Sequence, residues 1–219
     1  MWNEQEWLNG ERAPARSIRR SHPGYHRIYF PSQKNRHYVL CEGALEAAYC
    51  VWLEWDADVV AYGAQPYTFR WEADGRALRY TPDFFVQHQD SPSHFTEVKY
   101  DFARLTDRHS KKLSSFFELC RTMETTLKLA DRQQLVEPKK FKNLRYLYFR
   151  SFGVTQREQD YLSDYLDHCE TATTLRAILS DSFPPTSRSI CHRLFSCELL
   201  TNLDEPLTLD AQIIKREPL

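Results

Sequence analysis

Two acidic residues and a lysine stand at the ends of two short apolar runs in YTPDFFVQHQDSPSHFTEVKY, residues 80–100. Asp83 follows a proline in the first run, and Glu97 and Lys99 flank a valine in the second. Residues two apart on a strand point to the same face, so Glu97 and Lys99 would present a carboxylate and an ammonium about 7 Å apart. An antiparallel pairing across the turn QHQDSPS would bring Asp83 opposite them. The segment predicts either a salt-bridged hairpin or a metal-dependent centre that hydrolyses phosphodiesters.

Such a centre needs oxygen ligands for a cation and a positive charge beside the phosphate. Carboxylates are the donors that Mg²⁺ prefers, and the ion would polarise the scissile phosphate and lower the pKa of a bound water. Lys99 would orient that water or offset charge that develops on the phosphate. Glu42 and Glu46 share a helical face earlier in the chain, and Glu46 lies inside an apolar stripe. A carboxylate there needs a partner, which is a metal ion or, in the structural alternative, Lys99 or an arginine.

Helical and extended patterns alternate around this centre. The spacing of Leu45, Tyr49 and Trp52 predicts a helix in CEGALEAAYCVWLEWDADV. Strand-rich segments follow, with a hairpin turn at residues 73–75 (ADG), and they predict three strands in meander order. A helix over residues 107–122, a buried strand in TLKLAD and a helix in KNLRYLYFRSF come next. The pattern predicts an α/β (α+β) fold, a mixed sheet flanked by helices.

The character of the sequence changes after about residue 153. TQREQDYLSDYLDHC is amphipathic, TATTLRAIL opens with capping threonines, and SRSICHRLFSCELL predicts a third helix. TNLDEPLTLDAQI predicts two short strands around a turn at residues 204–206. Three helices followed by a hairpin is the order of a winged helix-turn-helix, and a small helical bundle is the alternative. We predict three parts: a basic N-terminal arm (1–38), read as extended with a short strand in HRIYF, an α/β domain (39–152) and a winged-helix-like domain (153–219).

Charge and composition restrict location and partners. The 219-residue chain has a formal net charge of −1, so bulk charge does not indicate a polyanionic partner. Basic residues cluster in the N-terminal arm, where we predict DNA contact, with a solvated or disordered arm as the alternative. The predicted DNA-binding residues are Arg16, Arg19, Arg20, Lys34 and Arg36. No apolar run of about 18 residues predicts a membrane span, MWNEQEWLNG is not typical of a secretory signal, and no cysteines form a CxxC pair. We therefore expect a cytoplasmic protein.

The order of these elements resembles a known nuclease fold. A helix with Glu46, then strands, then Pro-Asp, then Glu-x-Lys on an apolar strand, then a helix is the order of the restriction-endonuclease-like PD-(D/E)xK core. The motifs GALE, QP, YTPDF and EVK, in that order, resemble TnsA, the nuclease subunit of heteromeric cut-and-paste transposons. This resemblance covers most of residues 30–150 and departs at Gly43, where serine is more usual.

The resemblance implies roles for individual residues. The implied catalytic residues are Glu46, Asp83 and Lys99. The implied metal ligands are Glu46, Asp83 and Glu97, with Glu42 and Gln65 as auxiliary residues. The implied cofactor is Mg²⁺, with Mn²⁺ as a substitute. The implied reaction is hydrolysis of the DNA strand at the 5′ ends of a transposon during excision.

The resemblance also implies partners. They are double-stranded DNA at transposon ends, a TnsB-like transposase of the integrase type, and a TnsC-like AAA+ ATPase regulator engaged by the carboxy-terminal domain. The implied location is the bacterial cytoplasm, at the nucleoid when assembled. The residues alone leave two alternatives: a non-enzymatic adaptor that binds DNA or protein and uses the acids structurally, and a nuclease of restriction or repair.

Overall fold

The computed structural model describes residues 2–9, 14–15, 26–73, 75–169 and 172–216. By their contacts these residues divide into two compact units, one up to Leu135 and one from Val136 onwards. Three of the predicted DNA-binding residues, Arg16, Arg19 and Arg20, lie outside the described residues. No helix in the described part of the chain is both long enough and apolar enough to cross a membrane.

The first unit is a mixed α/β fold, in agreement with the predicted class. Its helices are α1 (Glu4–Asn9), α2 (Ala44–Trp55), α3 (Asp107–Thr122) and α4 (Arg132–Leu135). Its strands are β1 (Ile28–Ser32), β2 (His37–Cys41), β3 (Val59–Ala64), β4 (Phe69–Ala73), β5 (Arg76–Tyr80), β6 (Phe84–His88), β7 (His94–Lys99) and β8 (Thr126–Asp131). The structure confirms the predicted helices at α2 and α3 and the predicted strands in HRIYF and TLKLAD.

A four-stranded mixed sheet in the order β3-β6-β7-β8 forms the centre of this unit. β3 with β6 and β6 with β7 are antiparallel, whereas β7 and β8 are parallel and are joined through α3. β4 and β5 form a separate hairpin between β3 and β6, so the segment holds five strands and the predicted number of three is wrong; β3, β6 and β7 form the meander of the central sheet. The predicted turn joins β4 to β5, which pair up to Ala73 and Arg76, and Gly75 has φ +66°, which glycine adopts without steric cost.

The core of the first unit is an aromatic cluster on the central sheet. Its buried members are Trp7, Phe69, Phe85, Phe95, Phe116, Cys120 and Leu127. β6 and β7 carry buried residues on both faces because helices and the β4–β5 hairpin cover them. Such strands read as continuous apolar runs rather than as alternating ones.

The N-terminal segment departs from the predicted extended arm. α1 buries the indole of Trp7, which is only 9% exposed, in the aromatic cluster. Gly63 of β3 makes room for it, because a Cβ there would lie 2.5 Å from the Trp7 ring. A large aromatic side chain supplies enough apolar area to hold a short helix on the sheet. The prediction of an extended chain is therefore wrong for this helix.

The second unit contains four helices and a small antiparallel sheet. Its helices are α5 (Lys139–Arg150), α6 (Gln156–Asp167), α7 (Leu175–Leu179) and α8 (Ser187–Phe195). Its strands are β9 (Ala172–Thr174), β10 (Leu199–Leu200) and β11 (Gln212–Lys215), in the order β10-β11-β9. The structure confirms the helices predicted in this region, including the one in KNLRYLYFRSF.

Two details of the second unit differ from the predictions. β11 pairs with Leu199–Leu200 rather than with a strand inside TNLDEPLTLDAQI, so the first of the two predicted strands is wrong. The intervening loop is held instead by Asn143 of α5, whose Nδ2 donates to the carbonyl oxygens of Leu203 and Glu205, both at 2.7 Å. α5 also packs on α8. The compact division therefore falls before α5, whereas the predicted boundary at 152/153 lies after it.

Candidate active site

Asp83 lies immediately before β6, and both main-chain and side-chain groups orient it. Its Oδ2 accepts hydrogen bonds from the main-chain nitrogen of Val98 at 2.8 Å and from Nζ of Lys99 at 3.0 Å. Phe84 pairs with Thr96 across the β6–β7 turn, so Asp83 stands at the level of Glu97. Asp83 is only 6% exposed. The antiparallel pairing thus places the acid opposite the Glu-x-Lys pair.

Glu97 points into the same place and has fewer partners than its burial requires. Its Oε1 lies 2.5 Å from Nζ of Lys99, and the residue is 5% exposed. Its Oε2 is buried and forms no hydrogen bond of ordinary geometry with the described residues, although the Tyr80 hydroxyl interacts with the carboxylate. Burial first, and then the negative charge of Asp83, raises the pKa of Glu97 well above its usual range, whereas Lys99 and Tyr80 act in the opposite direction. A buried carboxylate oxygen without a well-placed donor is unfavourable, so Lys99 and Tyr80 compensate the burial of Glu97 only in part.

Lys99 bridges the two carboxylates. Burial by itself would lower the pKa of Lys99, but the charges of Asp83 and Glu97 outweigh burial and the net shift is upward. The side chain therefore remains an ammonium at neutral pH. It is not sealed in the interior, because 35% of the side chain stays exposed. A permanent positive charge thus stands next to both acids.

Glu46 is held against the sheet by the residue one turn after it. Tyr49 of α2 forms a hydrogen bond of 2.8 Å between its hydroxyl and Oγ1 of Thr96 on β7. The Tyr49 ring also meets Phe84 edge-on, with ring centroids 5.2 Å apart. Residues three and four apart share a helical face, so the face of α2 that carries Glu46 is the face that meets β6 and β7.

The electrostatics place Glu46 in the same group of charges. Burial first, and then the negative charge of Asp83, raises the pKa of Glu46 well above its usual range, and Lys99 acts in the opposite direction. The main-chain nitrogen of Glu42 donates to Oε2 of Glu46 at 2.7 Å. Glu46 is therefore close enough to Asp83 and Lys99 for their charges to shift its pKa. The auxiliary residue Glu42 touches the group through its main chain.

Gln65, the other predicted auxiliary residue, supports Asp83 through the backbone. Its main-chain nitrogen donates to the carbonyl oxygen of Asp83 at 2.8 Å, and its own carbonyl accepts from the nitrogen of Ala15 at 2.8 Å. Gln65 has φ +49° and is 1% exposed, and its side-chain amide has no partner among the described residues. The described contacts of Gln65 therefore fix the main chain before β6.

The two described members of the predicted DNA-binding set lie in the β1–β2 turn, and their environments differ. Nζ of Lys34 donates to the carbonyl oxygens of Val59, at 2.6 Å, and of Asp56. Burial lowers the pKa of Lys34, although nearby acids act against it. Its ammonium is thus used inside the fold. Arg36 is exposed and has φ +58°.

A cleft of ≈ 780 Å³ opens beside the acids, and basic side chains form part of its remaining wall together with apolar and uncharged polar ones. Asp83, Glu97 and Lys99 line one part of it. The other charged or titratable lining residues are Arg70, Arg79, His109 and Lys112. Sequence reasoning missed these four. A signal for two of them existed, because the turn at residues 73–75 fixes the hairpin register and pairs Arg70 with Arg79.

Within the described residues no group of three or more His, Cys, Asp and Glu side chains is placed so that it could hold a metal ion. A scan against protein-family models gives no match, and a search of the curated proteins gives none. The residues and their geometry are thus the basis for assigning a function.

Proposed function

We propose that this chain is a metal-dependent DNA endonuclease with a PD-(D/E)xK core. In this proposal it is the TnsA-like subunit of a transposition machinery and hydrolyses the strand at the 5′ ends of the transposon, together with a partner transposase. The observation that carries the proposal is the meeting of Asp83, Glu97 and Lys99 in one cleft beside Glu46. Burial and mutual repulsion raise the pKa of two of these carboxylates, which is typical of functional sites.

The element order supports the proposed core. The helix α2 precedes three antiparallel strands, β3, β6 and β7, and α3 then leads to β8, which lies parallel to β7. The PD-(D/E)xK motifs follow the same order in the sequence, namely a helix, then strands, then a helix. The β4–β5 hairpin is an insertion in that order.

The chemistry of the donor set suits a divalent cation, although within the described residues these side chains do not form a group placed to hold one. Glu46, Asp83 and Glu97 offer only oxygen atoms, which Mg²⁺ and Mn²⁺ accept, and Oε2 of Glu97 is buried without a hydrogen bond of ordinary geometry among the described residues. A cation there would compensate the charges that now raise the pKa of Glu46 and of Glu97. The chemistry that such an ion supplies when bound is polarisation of the scissile phosphate and a lower pKa for a bound water.

The chain's own residues hold this arrangement ready. The main-chain nitrogen of Val98 orients the Asp83 carboxylate, and Tyr49 fixes the helix that carries Glu46. Lys99 keeps a positive charge beside the cleft, where it would offset negative charge that develops on the phosphate. Groups that are oriented before the substrate arrives need no reorganisation during the reaction.

The second unit bears on the proposed contact with partner proteins. Its order α6, β9, α7, α8, β10, β11, with β11 pairing on both sides, is compatible with a winged-helix-like domain preceded by α5. We propose that this unit engages the AAA+ ATPase regulator.

The adaptor alternative has one observation in its favour, since Lys99 bridging Asp83 and Glu97 is also what a structural salt bridge would look like.

The test is metal binding and DNA cleavage by matched variants. We expect the wild type to bind Mn²⁺ in calorimetry and, with its transposase and regulator, to cut a transposon-end duplex. Asp83→Asn should lose Mn²⁺ binding, and cleavage should fall at least about 10²-fold, the size of effect expected when a key charged group is removed. Lys99→Met should lose cleavage but keep Mn²⁺ binding. The control Asp101→Asn removes an exposed acid that pairs with Arg104 and should change neither.

Two other results would redirect the proposal. Wild-type protein that binds no Mn²⁺ and an Asp83→Asn variant that supports cutting at the wild-type rate would together leave only the adaptor. Wild-type protein that cuts any duplex alone, without transposase or regulator, would indicate a restriction or repair enzyme.

A further inference from the structure

Two arginines face each other on the β4–β5 hairpin. Arg70 of β4 pairs directly with Arg79 of β5, so the two side chains leave the same face of the ribbon. Like charges directly opposite each other on neighbouring strands destabilise the pairing. Their position therefore opposes the stability of the hairpin unless an anion lies between them.

No described residue supplies that anion. Within the described part of the chain neither guanidinium takes part in an ion pair, although Glu72 follows Arg70 two residues later on the same face. Both arginines are exposed. The hairpin thus holds two adjacent positive charges without an internal counter-charge among the described residues.

The arginine pair lies on the wall of the cleft that holds the acids. The cleft is lined by Arg70 and Arg79, by Lys112 of α3, and by Asp83 and Glu97. Lys112 lies with its Nζ 5.4 Å from the centre of the Tyr80 ring, which orients the lysine along this wall. One cleft therefore joins a basic wall to an acidic, lysine-containing end.

We propose that Arg70 and Arg79 clamp a backbone phosphate of the DNA strand that is cut, on one side of the scissile phosphate. This inference rests on the proposed nuclease function and adds where the substrate strand runs. Asp83 follows Arg79 by four positions, which is about 13 Å of extended chain. That is at most about four base-pair rises of 3.4 Å, so the clamp reaches a phosphate close to the scissile one. Arg70 and Arg79 are positioning residues and not catalytic residues.

The chemistry of the cleft favours a nucleic-acid strand over an acidic protein segment. A guanidinium fork binds phosphate oxygens in a bidentate manner, and two opposed forks fit one phosphate or two successive ones. A strand of repeated phosphates reaches both the clamp and the acidic end in a single path. A peptide carboxylate would use the clamp alone.

The test compares two double variants of the full chain that remove the same charge. R70Q/R79Q removes the clamp. The control R76Q/R121Q removes an exposed arginine at the tip of the same hairpin and an exposed arginine of α3 that pairs with Glu118, neither of which lines the cleft. Binding of a labelled DNA duplex is measured by fluorescence anisotropy in EDTA, which prevents cutting, between 50 and 200 mM salt.

We expect R70Q/R79Q to bind the duplex about tenfold more weakly than the control. Its slope of log K against log salt should be smaller by about 1 to 2, because each lost phosphate contact removes about 0.9. Its melting temperature should be equal to or above that of the wild type, because the like charges no longer oppose each other. In cleavage assays the loss should lie mainly in KM, whereas Asp83→Asn should lose rate at every DNA concentration.

Equal duplex affinity and equal salt slope for R70Q/R79Q and the control would overturn the clamp, as would a wild type that does not bind the duplex at low salt. Unchanged DNA binding with loss of assembly on protein partners would also overturn it and would assign the arginines to a protein contact. The proposed function fails by different results, namely absent Mn²⁺ binding and unimpaired cutting by Asp83→Asn. The two failures are therefore distinguishable.

Discussion

Two buried glutamates of the first unit, Glu54 and Glu97, have nearly the same exposure and opposite surroundings. They are 6% and 5% exposed. Glu54, near the end of α2, accepts hydrogen bonds from the hydroxyl of Tyr62 at 2.7 Å and from Oγ of Ser32 on its Oε1. Its Oε2 accepts from two main-chain nitrogens of the β1–β2 turn, at 3.2 and 3.3 Å. Glu97 has Lys99 on one oxygen and no hydrogen bond of ordinary geometry among the described residues on the other, with the Tyr80 hydroxyl as a weaker partner.

The difference separates an acid that holds the fold from an acid that is available for chemistry. Glu54 joins α2, β1 and β3 through four donors, so its burial is compensated by the protein alone. Burial, and then the negative charge of Asp83, raises the pKa of Glu97, although Lys99 acts in the opposite direction. A buried carboxylate with all of its donors stabilises a fold, whereas one that lacks them gains partners only from outside the chain.

The largest effect is expected from Glu54→Gln. The variant keeps the size of the side chain but places an amide NH₂ against main-chain N–H donors, so we expect the free energy of unfolding to fall by about 2 to 3 kcal/mol. Urea unfolding at pH 7.5 measures it. Mn²⁺ binding by the folded fraction should be unchanged, since Glu54 is not one of the acids of the cleft. A loss below about 0.5 kcal/mol would show that the four donors do not depend on this carboxylate.

A smaller effect on stability is expected from the titration of His94 on β7. Its pH dependence can be distinguished from that of the acids. Burial, together with Lys128 and His88, lowers the pKa of His94 from 6.5 to about 3. Below pH 6.5 the unfolded chain binds a proton that the folded protein does not bind, so stability falls as the pH decreases towards 3. We expect the contribution of His94 alone to be a loss of about 1 kcal/mol between pH 6.5 and 5.5, measured as the difference between the wild type and His94→Asn.

The raised pKa of Glu97 has the opposite sign, because the folded protein then holds its proton more tightly and loses stability as the pH rises. Urea unfolding of the wild type and of His94→Asn at pH 7.5, 6.5 and 5.5 separates the two terms. On acidification from pH 6.5 to 5.5, His94→Asn should become more stable relative to the wild type. Parallel profiles for both proteins would contradict the assignment to His94.

The smallest effect on stability is expected from Glu97→Gln. Removing a charge that burial and Asp83 disfavour offsets the loss of its contact with Lys99, which keeps Asp83 as a partner. We expect the free energy of unfolding at pH 7.5 to stay within about 1 kcal/mol of the wild type, while Mn²⁺ affinity falls. Unfolding and calorimetry on the same preparation measure both. A loss as large as that of Glu54→Gln would make Glu97 a structural acid and favour the salt-bridged hairpin.

Local patterns sufficed to predict the neighbourhood of Asp83, Glu97 and Lys99. Alternation places Glu97 and Lys99 on one face, and the turn before His94 brings Asp83 to their level, so only short-range geometry is involved. The roles of these residues stay predictions. The packing of Trp7 on Gly63 was not predictable in this way, because it joins segments far apart in the chain that carry no periodic pattern.

The same reason explains why the compact division of the chain differs from the predicted boundary. The apolar periodicity of α5 does not indicate which helix packs against it. The assignment of α5 to the second unit depends on its packing with α8 and on the hydrogen bonds from Asn143 to the loop at residues 203–205. Lys34 is a related case, since a lysine in a basic cluster looks like a phosphate contact until its ammonium is seen on the carbonyl oxygen of Val59.

The bridge that Lys99 forms between Asp83 and Glu97 has a consequence for the order of assembly. A tethered ammonium acts as a resident counter-ion, so two acids that would otherwise push β6 and β7 apart are tolerated during folding. Under the proposed function, folding therefore does not depend on the divalent cation. We expect the chain to fold in a chelating buffer and to bind the cation afterwards.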